Sequence, residues 1–208
     1  MISIDLLVNA LTTGRLWIGN CLAGILIAST LVACQTAKDK AAEALGSELR
    51  NRLQLAEQPL PIHSIQATYD TFQPGQTVTI AGRIYAESLS PFDANEATFT
   101  IIELPKPGHN HEDPGDCPFC RRELRNAKFA MVKVLGDDGK IAPYSADRLL
   151  GLQKNQDVVV IGRAEQVGET IIVSLEKYYL LEAAASEVLS AQFRESARQV
   201  SSASQEAT

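Results

Sequence analysis

From Gly75 onward the chain switches its hydrophobic period to two, and it does so in five separate segments. The first, "GQTVTIAGRIYAE", sets Val78, Ile80 and Ile84 against Thr77, Thr79 and Arg83, with Gly82 in its middle. "ATFTIIELP" and "AKFAMVKVLG" follow, then "QDVVVIGRAEQ" and "ETIIVSLEKYYLL". Successive side chains of a strand point to opposite faces, so Val158/Val160 and Ile171/Val173/Leu175 each give their strand one apolar face. Between the third and fourth segments stand "DDGK", a turn, and "SADRLLGL". The latter reads as a short helix started by Ser145, with Asp147 favourably placed in its first turn. A short turn at Val167-Gly168 joins the last two segments.

Five strands with one short helix between the third and fourth is a layout that resembles the OB-fold, over roughly residues 75–182. The resemblance implies a mainly β chain, built as a small five-stranded OB-like barrel with one short helix. It also implies a sharply bent first strand shared by two sheets, and Gly82 is suited to that bend. The pairs Gly82-Arg83 and Gly162-Arg163 then fall in strands one and four, which are neighbours in that fold. A generic five-stranded sandwich is the competing architecture.

The connection between the second and third strands stands out in length and content. It reads "PKPGHNHEDPGDCPFCRRE" from Pro105 to Glu123, well beyond hairpin length. Its prolines and glycines before Cys117 exclude helix and strand there, so its order must come from elsewhere. His109, His111, Cys117 and Cys120 offer two nitrogens and two sulfurs, the ligand set of a closed tetrahedral zinc site. Glu112, Asp113 and Asp116 stand ready as alternative ligands or as partners that orient the ligands. Arg121 and Arg122 favour thiolate over thiol at Cys120. "CPFC" resembles the knuckle of zinc ribbons and rubredoxin-like sites, with Cys117 and Cys120 as the matching ligands. The His-x-His spacing departs from that pattern, and both rings reach one ion only if the backbone turns at Asn110. Copper(I) is the alternative metal. A Cys117–Cys120 disulfide is what an oxidising compartment favours. "CPFC" also resembles the glutaredoxin active site, but that motif needs a strand before it and a helix N-terminus at the Cys, and here Pro114-Gly115-Asp116 precedes it.

The address lies at the other end of the chain. "LWIGNCLAGILIASTLVA", Leu16 to Ala33, holds no charge and follows Arg15, which describes a secretory signal. Its last residues with the next, Leu31-Val32-Ala33-Cys34, resemble the lipobox of bacterial lipoproteins. That resemblance implies cleavage before Cys34, a diacylglycerol on its sulfur, and a place in the bacterial cell envelope facing the periplasm or the exterior. An uncleaved membrane anchor is the alternative. Residues 34–61 read as a helical spacer, with Leu45, Leu49 and Leu53 four apart and Pro59 and Pro61 ending it. One thin apolar stripe suits a spacer better than a buried helix. The barrel domain then covers 62–182, with the metal loop at 105–123. Residues 183–208 give a short helix around Val188, Leu189 and Phe193, then a disordered tail after Arg198.

The formal net charge is −6, and loss of residues 1–33 removes only Asp5 and Arg15, one charge of each sign. Phosphate backbones are bound through Lys and Arg, so nucleic acid is not an expected partner. His63 reads as a surface or packing residue, and Asp137 and Asp138 as a solvated turn rather than a calcium site. Tyr178 and Tyr179 fall on opposite faces of the last strand, one in the core and one exposed. No nucleophile elbow, P-loop or metalloprotease helix is present. The expectation is a non-enzymatic binding module, held to a membrane by its lipid, whose zinc orders a recognition loop for an unknown protein or small-molecule ligand. Envelope copper or redox handling by the same four residues is the alternative.

Overall fold

The computed structural model describes residues 38–87, 89–106, 122 and 127–206. The chain divides into two units, Met1–Ala44 and Leu45–Thr208. In the first, the described residues 38–44 are helical. In the second, each period-two segment forms a strand: β1 Thr77–Ile84, β2 Thr98–Ile102, β3 Phe129–Val134, β4 Asp157–Val167 and β5 Thr170–Leu180. Neighbours run antiparallel except β3 and β5, and the order β1-β2-β3-β5-β4 returns to β1 as a closed barrel. The expected mainly β, five-stranded OB-like barrel is therefore the architecture observed. Strand β1 is shared as expected, pairing with β4 over Thr77–Arg83 and with β2 through Arg83 and Ile84.

The two Gly-Arg pairs sit where backbones come closest. A Cβ on Gly82 would lie 2.7 Å from the Ile102 carbonyl oxygen, and one on Gly162 only 2.0 Å from that of Ser174. The β4–β5 register shifts between Ile161 and Gly162, and the close approach of the two strands there depends on the missing side chain.

Inward residues fill the barrel as their alternation predicts: Ile80, Phe99, Ile101, Val132, Val134, Val158, Val160, Ile171 and Val173 share one core. Helices complete it. Residues 45–53 form α1, and Leu49 and Leu53 are buried in this same core. The stripe of the expected spacer is thin because the helix meets the barrel along one line. Helix α2, Ile65–Asp70, buries Ile65, and the Ser64 Oγ that caps it accepts the Ala67 N–H at 3.0 Å. Helix α3, Ala146–Leu150, buries Leu149 and Leu150. It starts after Ser145 as expected, but that side chain makes no capping bond, and Gly151 ends the helix in the left-handed region. The turn carboxylates are also used, Asp137 pairing with Arg52 and Asp138 accepting the Lys140 N–H at 3.1 Å.

Helix α4 runs from Ala183 to Glu206, longer than the one or two turns that low hydrophobicity suggests. Its Ala, Glu, Gln and Arg residues favour helix without any burial. It lies on the outside of the barrel, where Leu189, with Ala185 and Phe193, packs against Ala81, Leu104, Val159 and Leu181. This cluster is separate from the interior. It explains why the outward-pointing Ala81 and Val159 are both 0% exposed. Tyr178 is in the core as one of the two tyrosines should be, while Tyr179 is half-buried in the outer cluster rather than exposed. Among the described residues no helix is long and apolar enough to cross a membrane.

Candidate functional site at the root of the long loop

Strand β2 ends at Ile102 and β3 begins at Phe129, and these two residues are paired across the ladder. Residues 103–128 connect them, and the described parts of this loop are its entry arm 103–106, residue 122 and its exit arm 127–128. The proposed ligands His109, His111, Cys117 and Cys120 lie outside the described residues, as do Glu112, Asp113, Asp116 and the lipidation residue Cys34. Among the described residues no group of three or more His, Cys, Asp or Glu side chains is placed to hold a metal ion. His63 is described and exposed, and its backbone joins the sheet: its N–H bonds the Thr79 carbonyl at 2.9 Å and its carbonyl takes the Ala81 N–H at 3.1 Å.

The entry arm of the loop, residues 103–106, is held from two sides. The Glu103 carboxylate accepts the Gln66 N–H from the start of α2. Leu104 is buried beneath α4, and the Pro105 carbonyl accepts the Ser190 hydroxyl at 2.6 Å. Burial raises the Glu103 pKa above the usual carboxylate value, against the opposing pull of the Gln66 N–H and the Arg194 guanidinium. Burial likewise lowers the pKa of Arg194, helped by Arg198 and opposed by Glu103.

The exit arm is held by α2. The Tyr69 hydroxyl lies 2.9 Å from the Phe129 carbonyl and 3.0 Å from that of Glu169, and its oxygen accepts the Ile171 N–H at 3.0 Å. It thus ties the first residue of β3 to the β4–β5 turn, beside the parallel pair Ala130–Ile171. The Lys128 ammonium stands 5.2 Å from the centre of the Tyr69 ring, a favourable cation–π distance.

Next to the entry arm lies a buried charged cluster that sequence reasoning missed. Arg83 Nε and Nη2 donate to Asp157 Oδ1 and Oδ2 at 2.6 and 2.9 Å, and the Ser186 hydroxyl of α4 donates to Oδ2 at 2.5 Å. Bidentate geometry of this kind is the strong form of a charge-assisted bond. Beside it is a cavity of about 10 Å³, lined also by Pro105 and Lys106, room for about one water. The sequence carried a signal for this covered face: Val158, Val159 and Val160 are consecutive and apolar, as in a strand buried on both sides.

The outer face of the same hairpin carries a shallow groove of about 200 Å³. Its floor is Thr98, Thr100 and Met131, and its wall is Ser90 to Asp93. That wall runs beside β2, with the Thr100 N–H bonded to the Pro91 carbonyl at 2.9 Å and the Asp93 N–H to that of Thr98 at 3.2 Å. Phe129 and Met131 are 42% and 38% exposed, so β3 offers solvent two large apolar groups at this face.

No protein-family profile matches the chain, and no curated protein matches it in sequence. Among solved structures, the S. pombe Stn1–Ten1 complex is similar over 64% of this chain and 78% of that chain, with 13% identity and a TM-score of 0.35. A chain assigned as an aspartyl-tRNA synthetase from Leishmania major Friedlin is similar over 69% of this chain, with 13% identity and a TM-score of 0.38. This second match spans only 26% of the synthetase chain. Likenesses this distant carry no argument about function.

Proposed function

We propose that this chain is a membrane-anchored lipoprotein of the bacterial cell envelope that acts as a non-enzymatic binding module. Its barrel presents the 103–128 loop and the adjoining β2–β3 face to a protein or small-molecule ligand. Within the loop, His109, His111, Cys117 and Cys120 hold one zinc ion as a structural clip, with Glu112, Asp113 and Asp116 beside them. Cys34 carries the lipid. The supporting observation is that both arms of the loop are fixed to the barrel, one by Ser190 and Gln66 and the other by Tyr69. A long loop with immobilised ends loses less entropy when an internal clip closes it. The donor set supports zinc: two imidazoles and two thiolates complete a tetrahedron and leave no open position for catalysis.

Elemental analysis of the full-length chain, with thiol counts before and after chelation, tests the clip. The expected result is one zinc per chain, with Cys117 and Cys120 protected until the metal is removed. Tight but exchangeable copper(I) would replace the zinc reading with copper handling, and a metal-free Cys117–Cys120 disulfide would end both. Incorporation of labelled fatty acid, lost in Cys34→Ser, tests the anchor separately.

A further inference from the structure

We propose that the first half of α4, Ala183 to Arg194, is a detachable strap whose release removes one of the two holds on the entry arm, residues 103–106, while the barrel stays folded. The helix buries one face only, with Ser186, Leu189 and Ser190 buried and Ala185, Phe193 and Arg194 half-buried. These positions recur at three- and four-residue spacing, as a single helical stripe requires. Their apolar partners form a cluster distinct from the barrel interior, so lifting the helix uncovers Ala81, Leu104, Val159 and Leu181 but leaves that interior closed.

What the strap covers is costly to keep dry. Beneath it are the Arg83–Asp157 ion pair, each member about 6% exposed, and near it the half-buried Glu103. Release of the strap returns these charges to water, which lowers the cost of opening. Among the described residues the strap meets the entry arm through the Ser190 hydroxyl on the Pro105 carbonyl, through Leu189 with Leu104 in the outer cluster, and through the Arg194 guanidinium facing Glu103. Among the described residues of the loop, opening therefore acts on 104–106, while Glu103 keeps the Gln66 N–H of α2 and the exit arm keeps Tyr69. The regulatory meaning rests on the loop being the recognition element, as proposed above, but the strap itself needs no metal and no ligand.

Hydrogen exchange read by mass spectrometry on the full-length chain tests this. In the unaltered protein, segments 183–194 and 103–106 exchange through one shared opening, faster than β4 and β5. Leu189→Ala raises exchange in both segments by roughly 10- to 100-fold, the equivalent of losing one apolar side chain's burial, and leaves β4 and β5 unchanged. Ser190→Ala, which removes only the tie, speeds 103–106 by about 5-fold, the worth of one hydrogen bond. The proposal is overturned if residues 103–106 ignore both variants, or if β4 and β5 accelerate in step with α4. Elemental analysis of the same sample before any chelation separates the two ideas, since coupled opening in a chain that holds no zinc sinks the metal clip and leaves the strap standing.

Discussion

Removing the Asp157 carboxylate distinguishes a strap from a fixed part of the fold. Asp157 takes two bonds from Arg83 and one from Ser186, all in a buried setting. If the cover were rigid, Asp157→Ala would leave a guanidinium buried without its carboxylate, at a cost of about 3–5 kcal/mol. A detachable cover sets a lower ceiling, because α4 can lift and let water reach Arg83. What then opposes lifting is the burial of Leu189, about 1.5–3 kcal/mol, and the Ser190–Pro105 bond, about 1 kcal/mol. Partial burial of Phe193 is offset by the side-chain freedom regained. The expected loss is therefore about 2–4 kcal/mol, and in a unit of this size each kcal/mol moves Tm by about 2–4 °C. Thermal unfolding followed by circular dichroism gives the total, and hydrogen exchange locates it. The variant should show α4 exchanging as if undocked, with β4 and β5 still protected. Arg83→Met combined with Asp157→Leu should sit within about 1 kcal/mol of the parent, since an apolar pair restores the packing without the charge. Because the two ranges overlap, exchange decides: a variant in which α4 exchanges only on global unfolding would refute the reasoning, whatever its total loss.

Two further outcomes follow from the geometry. Gly162→Ala places a methyl group 2.0 Å from a backbone carbonyl and should cost several kcal/mol or abolish folding. Gly168→Ala, at φ 61° with nothing within 4 Å of its Cβ, should cost only about 1 kcal/mol of left-handed strain, and urea unfolding compares them. Strap docking should also depend on pH through Glu103, which faces Arg194 of α4, with Arg198 beyond it, and the Gln66 N–H of α2. Its pKa is raised in the docked state, so that state binds the proton more tightly. Docking is then strongest below the ordinary value of 4.5 and weakens as pH rises through the raised one. Exchange protection of 183–194, corrected for intrinsic rates, should fall across that interval, and Glu103→Gln should flatten the profile.

The strands were readable because alternation is local: each segment carries its own period, and the barrel's ends fall within two or three residues of the expected ones. Gly82 was readable for the same reason, as a glycine inside an alternating run. The helical accessories were not, because their role is decided by distant partners. Leu49 and Leu53 look the same in sequence whether they face water or the core at Leu149. Arg83 and Asp157 stand 74 positions apart, and nothing near either residue announces a buried pair. The signal that was available lay in Val158-Val159-Val160 and in Ala81, where apolar residues occupy both faces of β4 and β1 and so call for a cover on the outside. For His109, His111, Cys117 and Cys120 the reading still rests on residue chemistry and spacing.

A closed barrel restricts how any message can reach its loops. Its strands have no free edge, and its interior is one continuous cluster, so no strand shifts without breaking the packing of all the others. Movement is confined to what lies outside, and the two arms of the long loop differ in that respect. The exit arm starts at Phe129, which is paired with Ile102 and bonded to Tyr69 of a helix whose Ile65 is in the core. The entry arm is held by α2 at Glu103 alone, and beyond it by α4 through Ser190 and the outer cluster. Release of the strap would thus loosen residues 104–106 and leave Glu103 and Phe129 held by α2. If the loop is the recognition element proposed above, a ligand that prefers one state of residues 104–106 would shift the docking of α4 by that same difference in affinity.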